Sequence, residues 1–150
     1  MRRTAARLLL AAGLAATLLL GFGLYYHHAI NPAVIEEIRR APDGPRARET
    51  LVLTLPGGRV IPVNYLYEGG RVFVGADGRW WRSLGTGGAP VTLLVRGRRL
   101  VGTARAVDDA PLRDAVFARL RPTEPDWLPG WARGKLVVIE LAGDAAVPSR

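Results

Sequence analysis

The chain has 150 residues, 21 Lys and Arg against 13 Asp and Glu, a net charge of +8, and no cysteine. That length suits one domain of about 100 to 120 residues plus an appendage, large enough for a hydrophobic core without covalent staples. The lack of cysteine excludes disulfides, thiolate metal sites and thiol nucleophiles, and with only His27 and His28, side by side, the sequence argues against a histidine-rich metal centre. Both parts of the chain are basic: residues 1–50 hold seven Arg against four acids, and residues 51–150 hold fourteen Lys and Arg against nine. Such a balance favours anionic company and says little about fold.

Met1 to Arg7 is short and basic, and Leu8 to Ile30 then runs 23 residues without a formal charge if both histidines are neutral. An α-helix needs roughly 20 apolar residues to cross about 30 Å of hydrocarbon, so the stretch reads as a single-pass transmembrane anchor. Tyr25, Tyr26, His27 and His28 would then lie at the far interface. A cleaved signal peptide is the competing reading, but its apolar region is usually about 7 to 15 residues, and His27-His28-Ala29 lacks the small residue two before Ala29. Arg2, Arg3 and Arg7 precede the span and Arg39, Arg40, Arg46 and Arg48 follow it, so the charge balance leaves the orientation open.

Asn31-Pro32 reads as a cap and first position of a short amphipathic helix through Val34, Ile35 and Ile38, ending at the breaker cluster Pro42-Asp43-Gly44-Pro45. Three strands follow, Leu51–Leu55, Val60–Tyr67 and Arg71–Val74, separated by Gly57-Gly58 and Gly69-Gly70. Glycine pairs between β-branched and aromatic runs signal hairpins, since such turns require positive φ. Next come Gly75-Ala76-Asp77-Gly78, the segment Arg79-Trp80-Trp81-Arg82-Ser83-Leu84, and the loop Gly85-Thr86-Gly87-Gly88. Strands Val91–Arg96 and Leu100–Val107 flank the basic turn Gly97-Arg98-Arg99. A helix Leu112–Leu120, capped by Asp108-Asp109-Ala110-Pro111, carries Leu112, Val116 and Leu120 on one stripe, and Lys135–Leu141 is the last strand. Six mostly antiparallel strands and two short helices predict a small α+β barrel. The expected organisation is a membrane anchor over residues 1–30, a short helix and linker over 31–47, and the barrel over 48–150.

Several residues suggest chemistry, each beside a plainer role. Adjacent indoles cannot both face one core, so Trp80 or Trp81 is expected to be partly exposed or to line a cleft, with Arg79 and Arg82 placed for a phosphate or simply solvated. A helix starting there would add free amides for the same anion. Gly75 to Gly78 permits close approach of a ligand, although a bare turn uses the same residues. Arg59 either meets a phosphate or ends a solvated hairpin. Tyr65 and Tyr67 share one face of their strand, and either is a candidate proton donor. Trp127 and Trp131 flank Pro129-Gly130 as a hydrophobic lid or as packing. Arg96, Arg98 and Arg99 read as an exposed hairpin. Charge alone suggests nucleic acid, which is not an expected partner. No catalytic triad, carboxylate pair, Walker loop or dinucleotide fingerprint is present.

From about Glu49 to Leu141 the chain resembles the split β-barrel flavin and deazaflavin oxidoreductases, especially the deazaflavin-dependent nitroreductases within the pyridoxamine-phosphate-oxidase-like superfamily. Leu51-Val52-Leu53-Thr54 before a Gly turn carries the likeness, with Arg59-Val60-Ile61-Pro62-Val63 in place of Arg-x-x-Pro-Leu and Trp80 to Leu84 in place of Trp-x-x-Asn-Leu. Two departures weaken the cofactor inference more than the fold: Pro56-Gly57-Gly58 lacks the Lys and Ser of the family's cofactor-tail loop, and Ser83 replaces the Asn. The resemblance implies FMN or a deazaflavin coenzyme held by Arg59, Pro62, Val63, Gly75, Ala76, Asp77, Gly78, Arg79, Trp80, Trp81, Arg82 and Ser83, often at a homodimer interface. The expected function is therefore a membrane-anchored oxidoreductase, its barrel weakly favoured on the cytoplasmic side, reducing a small apolar acceptor of nitro or quinone type. The alternative is a tethered barrel that has lost its cofactor and serves as a binding module.

Overall fold

The computed structural model describes residues 2–25, 30–125, 127–130 and 132–143. Tyr26, His27 and His28 of the expected interface, Trp131 of the expected lid, and the last residues of the expected barrel domain therefore lie outside the described residues. The chain divides into two compact units, residues 1–36 and 37–150.

In the first unit, helix α1 runs from Arg2 to Tyr25. Leu10, Leu14, Leu18, Leu19, Leu20, Phe22 and Leu24 are each 52–75% exposed and, at 100° per residue, point to every side of the helix. Among the described residues no helix is long and apolar enough to cross a membrane. The expected span continued to Ile30, and residues 26–29 of it are not described. Helix α2, Asn31–Arg40, buries Ile35 and Ile38, as its spacing predicted.

The second unit is a closed antiparallel barrel. Its strands are β1 Thr50–Thr54, β2 Val60–Glu68, β3 Arg71–Ala76, β4 Ala89–Val95, β5 Arg98–Val107 and β6 Lys135–Leu141, in the circular order β1-β2-β3-β6-β5-β4. Closure leaves no unpaired edge to recruit another chain. Gly69 and Gly70 both adopt positive φ and join Glu68 to Arg71 directly, and Gly57 and Gly58 do the same inside the longer Leu55–Arg59 turn. Alternation along the strands sorts two cores. Leu51, Leu53, Ile61, Val63, Tyr65, Val72, Val74, Val137 and Ile139 fill the interior. Leu66, Phe73, Leu136 and Val138 point outward and pack with Val116 and Phe117 of helix α4, Ala110–Leu120. The run Val137-Val138-Ile139 is thus buried on both faces.

The segment read as a linker is structured: helix α3, Pro45–Glu49, buries Ala47, and Asp43 pairs with Arg96 at 3.6 Å. Arg96 is consequently no part of a solvated hairpin end, since its side chain is only 14% exposed. Arg98 and Arg99 are exposed as expected, whereas Arg96 is drawn to Asp43, beside which Pro42 lies against the Gly97 backbone.

Candidate functional site

Strand order decides where the site lies. β3 borders β2 and β6, whereas β4 borders β1 and β5, so residues 77–88 must cross one end of the barrel. The ends of β1, β3 and β5 and the beginnings of β2, β4 and β6 meet at that end. The crossing is a 3-10 turn, Trp80–Leu84, stopped by Gly85 at φ 65°. Side chains three apart eclipse in such a turn, which gives it distinct faces. Leu84 plugs the barrel, Trp80 and Ser83 face one cleft, and Arg82 faces another.

The smaller cleft, about 290 Å³, is lined by Leu55, Pro56, Arg59, Gly78, Arg79, Trp80 and Ser83. The larger, about 480 Å³, runs from Ala76, Asp77, Gly78, Arg79, Trp81 and Arg82 across Val107 to Ala110 and Arg113, and to Gly130, Gly134 and Lys135. Gly78 and Arg79 belong to both. The expectation about adjacent indoles holds in a stronger form, because both are half-buried and each lines its own cleft. The expected anion site at a helix N-terminus does not hold, since five residues of 3-10 turn align too few peptide dipoles.

Charges around the larger cleft are unevenly committed. Asp77 lies 2.7 Å from Nη1 of Arg121, Asp108 pairs with Lys135, and Oδ1 of Asp109 accepts the Leu112 amide at 2.9 Å as the α4 cap. Arg113 is held by Asp114 at 3.0 Å. Among the described residues Arg59, Arg79 and Arg82 have no ion pair, and all three are exposed. Trp81 has two cations over its ring, Cζ of Arg82 at 5.5 Å and Nζ of Lys135 at 5.3 Å from the centroid. Ser83 donates its hydroxyl hydrogen to the Trp80 carbonyl at 2.7 Å, which leaves it an acceptor toward any ligand.

Other expected site residues fall elsewhere. Tyr65 is 3% exposed inside the barrel, Tyr67 packs against the same interior, and neither lines either of these two clefts. Pro62 and Val63 are likewise absent from both linings. Gly75 serves packing rather than ligand approach, because a Cβ there would meet Arg121 Nη2 at 2.5 Å and Phe117 Cζ at 3.3 Å. Trp127 is 79% exposed. Conversely, Asp108, Arg113 and Lys135 were missed. Lys135 reaches the cleft because β3 pairs with β6, and Asp108 and Arg113 follow because β5 pairs with β6 in turn, neighbourhoods no local motif announces. Among the described residues no cluster of His, Asp and Glu is placed to hold a metal ion.

The sequence matches no family model and no curated protein. Solved structures do match. A Listeria innocua protein provisionally named a pyridoxamine 5'-phosphate oxidase superposes with a TM-score of 0.50 at 13% identity, over 74% of this chain and 90% of that one. The general stress FMN/FAD-binding protein of Xanthomonas citri gives 0.46 at 15% identity over 77% and 95%, and a FAD-binding protein of Mesorhizobium loti gives 0.45 at 18% over 72% and 89%. The six-stranded antiparallel barrel thus shares the fold of the Listeria innocua protein.

Proposed function

We propose that the protein binds a flavin or deazaflavin at the mouth of its barrel and is an oxidoreductase acting on a small acceptor of nitro or quinone type. The observation that carries this reading is the convergence of Arg59 and Arg79, both without an ion pair among the described residues, on the cleft that Trp80 walls. Two guanidinium forks beside an indole suit a phosphate attached to an apolar body. The donor chemistry fits such a ligand, although the cleft's 290 Å³ is just below the roughly 300–1,000 Å³ of usual ligand sites. The phosphate end would therefore lie between Arg59 and Arg79, with the ring system covered by a second copy of the chain. When bound, the cofactor supplies the hydride or electron chemistry. This chain's residues supply the phosphate grip, an apolar wall at Trp80 and the adjoining larger cleft for the acceptor.

The anchor belongs to the same reading. Residues 10–24 of α1 expose apolar side chains on every side, which supports insertion into lipid, and the barrel would lie on the cytoplasmic side, where such cofactors are made. The test is a flavin fluorescence titration of the purified full-length chain with FMN and with a deazaflavin. Loss of an Arg–phosphate bond worth about 1.5–3 kcal/mol predicts that Arg59→Ala weakens FMN roughly ten- to a hundredfold while the apo melting temperature holds. A wild type that binds neither compound would leave the cofactor-less binding module as the function. That alternative draws on the Pro56–Gly58 turn, which brings no Lys or Ser to the cleft.

A further inference from the structure

We propose that the larger cleft is a binding site for a small planar acid, a one- or two-ring aromatic carrying a single carboxylate or equivalent anion. As the acceptor of the proposed reaction, where it would also carry the nitro or quinone group that is reduced, this ligand rests on the flavin reading; as a bound molecule it does not. The argument begins with which charges are already satisfied. Each of the three acids lining the cleft has a partner: Asp77 holds Arg121, Asp108 holds Lys135, and Asp109 caps α4. The uncommitted charge is cationic and local. Arg79 precedes the 3-10 turn and Arg82 follows three residues later, the spacing that places two side chains on one side. Like charges placed together repel, and an anion between them relieves that repulsion while it gains both contacts.

Trp81 defines the rest of the ligand. Its indole lines the same cleft with Arg82 over the ring, so a carboxylate drawn to Arg82 carries its own ring to an aromatic surface. The volume of about 480 Å³ admits two fused rings. The three carboxylates set the upper limit on charge. A polyphosphate or nucleic-acid backbone would bring several anions against Asp77, Asp108 and Asp109, whereas one anion reaches Arg79 and Arg82 alone. An uncharged apolar acceptor, the sequence's expectation, would leave both guanidiniums unused.

The experiment is calorimetry on the full-length chain in micelles, with protein-free micelles as blank, comparing 2-naphthoate with its neutral isostere 2-naphthamide. The acid is expected to bind at least tenfold more tightly, and the advantage should shrink severalfold between low salt and 0.5 M salt, as exposed charge contacts are screened. Arg82→Ala should remove most of the preference and leave the amide unchanged. Arg82→Lys should restore part of it, which also guards against a folding defect in the alanine variant. Equal affinity for acid and amide overturns the proposal. A parallel FMN titration separates the two readings. Selective naphthoate binding without FMN binding supports the cleft while removing the cofactor, and FMN binding without acid selectivity does the reverse.

Discussion

The guanidinium of Arg121 crosses the bare backbone of Gly75 to reach the carboxylate of Asp77 at 2.7 Å. On the way it stacks 4.7 Å above the Phe117 ring and donates to the Arg133 carbonyl at 3.2 Å. One side chain thus ties the end of α4, the loop before β6 and the end of β3, and neutralises an acid of the larger cleft.

Replacing Gly75 by Ala should therefore act through Arg121. The obstructing atom is the far end of a flexible side chain, so the guanidinium can move, but only by giving up Asp77 and the Arg133 carbonyl. Urea unfolding of G75A and R121A should show similar losses of about 1–2 kcal/mol. Asp77→Ala should lose less than about 1 kcal/mol, since its side chain is 73% exposed and solvent screens the pair. An Asp77→Ala loss equal to that of Arg121→Ala would contradict this ranking.

Phe117 and Leu112 share a helix but differ in depth, Phe117 being 1% exposed and Leu112 half-buried at the margin. Phe117→Ala should cost about 3–5 kcal/mol, a large fraction of the stability of so small a domain. Leu112→Ala should cost no more than about half as much. Thermal melts followed by circular dichroism give the comparison.

Gly102 sits where β5 meets β6, and a Cβ there would lie 2.5 Å from the Glu140 carbonyl oxygen and 3.0 Å from Cγ2 of Ile139. Backbone of a closed barrel cannot step aside as a long side chain can. Gly102→Ala should therefore destabilise by about 3 kcal/mol or more, beyond ordinary overpacking. Hydrogen exchange should show the loss concentrated in the β5–β6 ladder.

Arg79 lines both clefts, so Arg79→Ala is the variant expected to weaken FMN and naphthoate together, by roughly tenfold or more each. Its exposure and lack of an ion pair among the described residues predict a change in apo stability below about 0.5 kcal/mol. Loss of only one ligand would assign Arg79 to a single cleft.

The proposed anchor makes a cellular prediction. After alkaline carbonate extraction the full-length chain should remain in the membrane pellet, and a chain lacking residues 1–30 should be in the supernatant. Full-length protein found in the supernatant would rule out the span.

The sequence by itself determined what depends on near neighbours. Runs of β-branched and apolar residues marked the six strands, the glycine pairs at 57–58 and 69–70 marked two turns through their positive φ, and Asp108 to Pro111 marked the cap of α4, which begins at Ala110 rather than at the expected Leu112. It also foresaw that Trp80 or Trp81 would line a cleft, and both do, half-buried against the barrel interior. Tertiary structure decided what depends on which strands become neighbours. Pairing of β3 with β6, and of β6 with β5, carries Lys135 and Asp108 to the cleft that Trp81 lines, although some 50 residues separate Lys135 from Trp81 along the chain. Closure of the sheet makes the face that carries Ile61, Val63 and Tyr65 the barrel interior, so a tyrosine that looked available to a substrate is buried. The reason is physical: turn and cap preferences act within a few residues, whereas a barrel's mouth is assembled from strand ends brought together by closure.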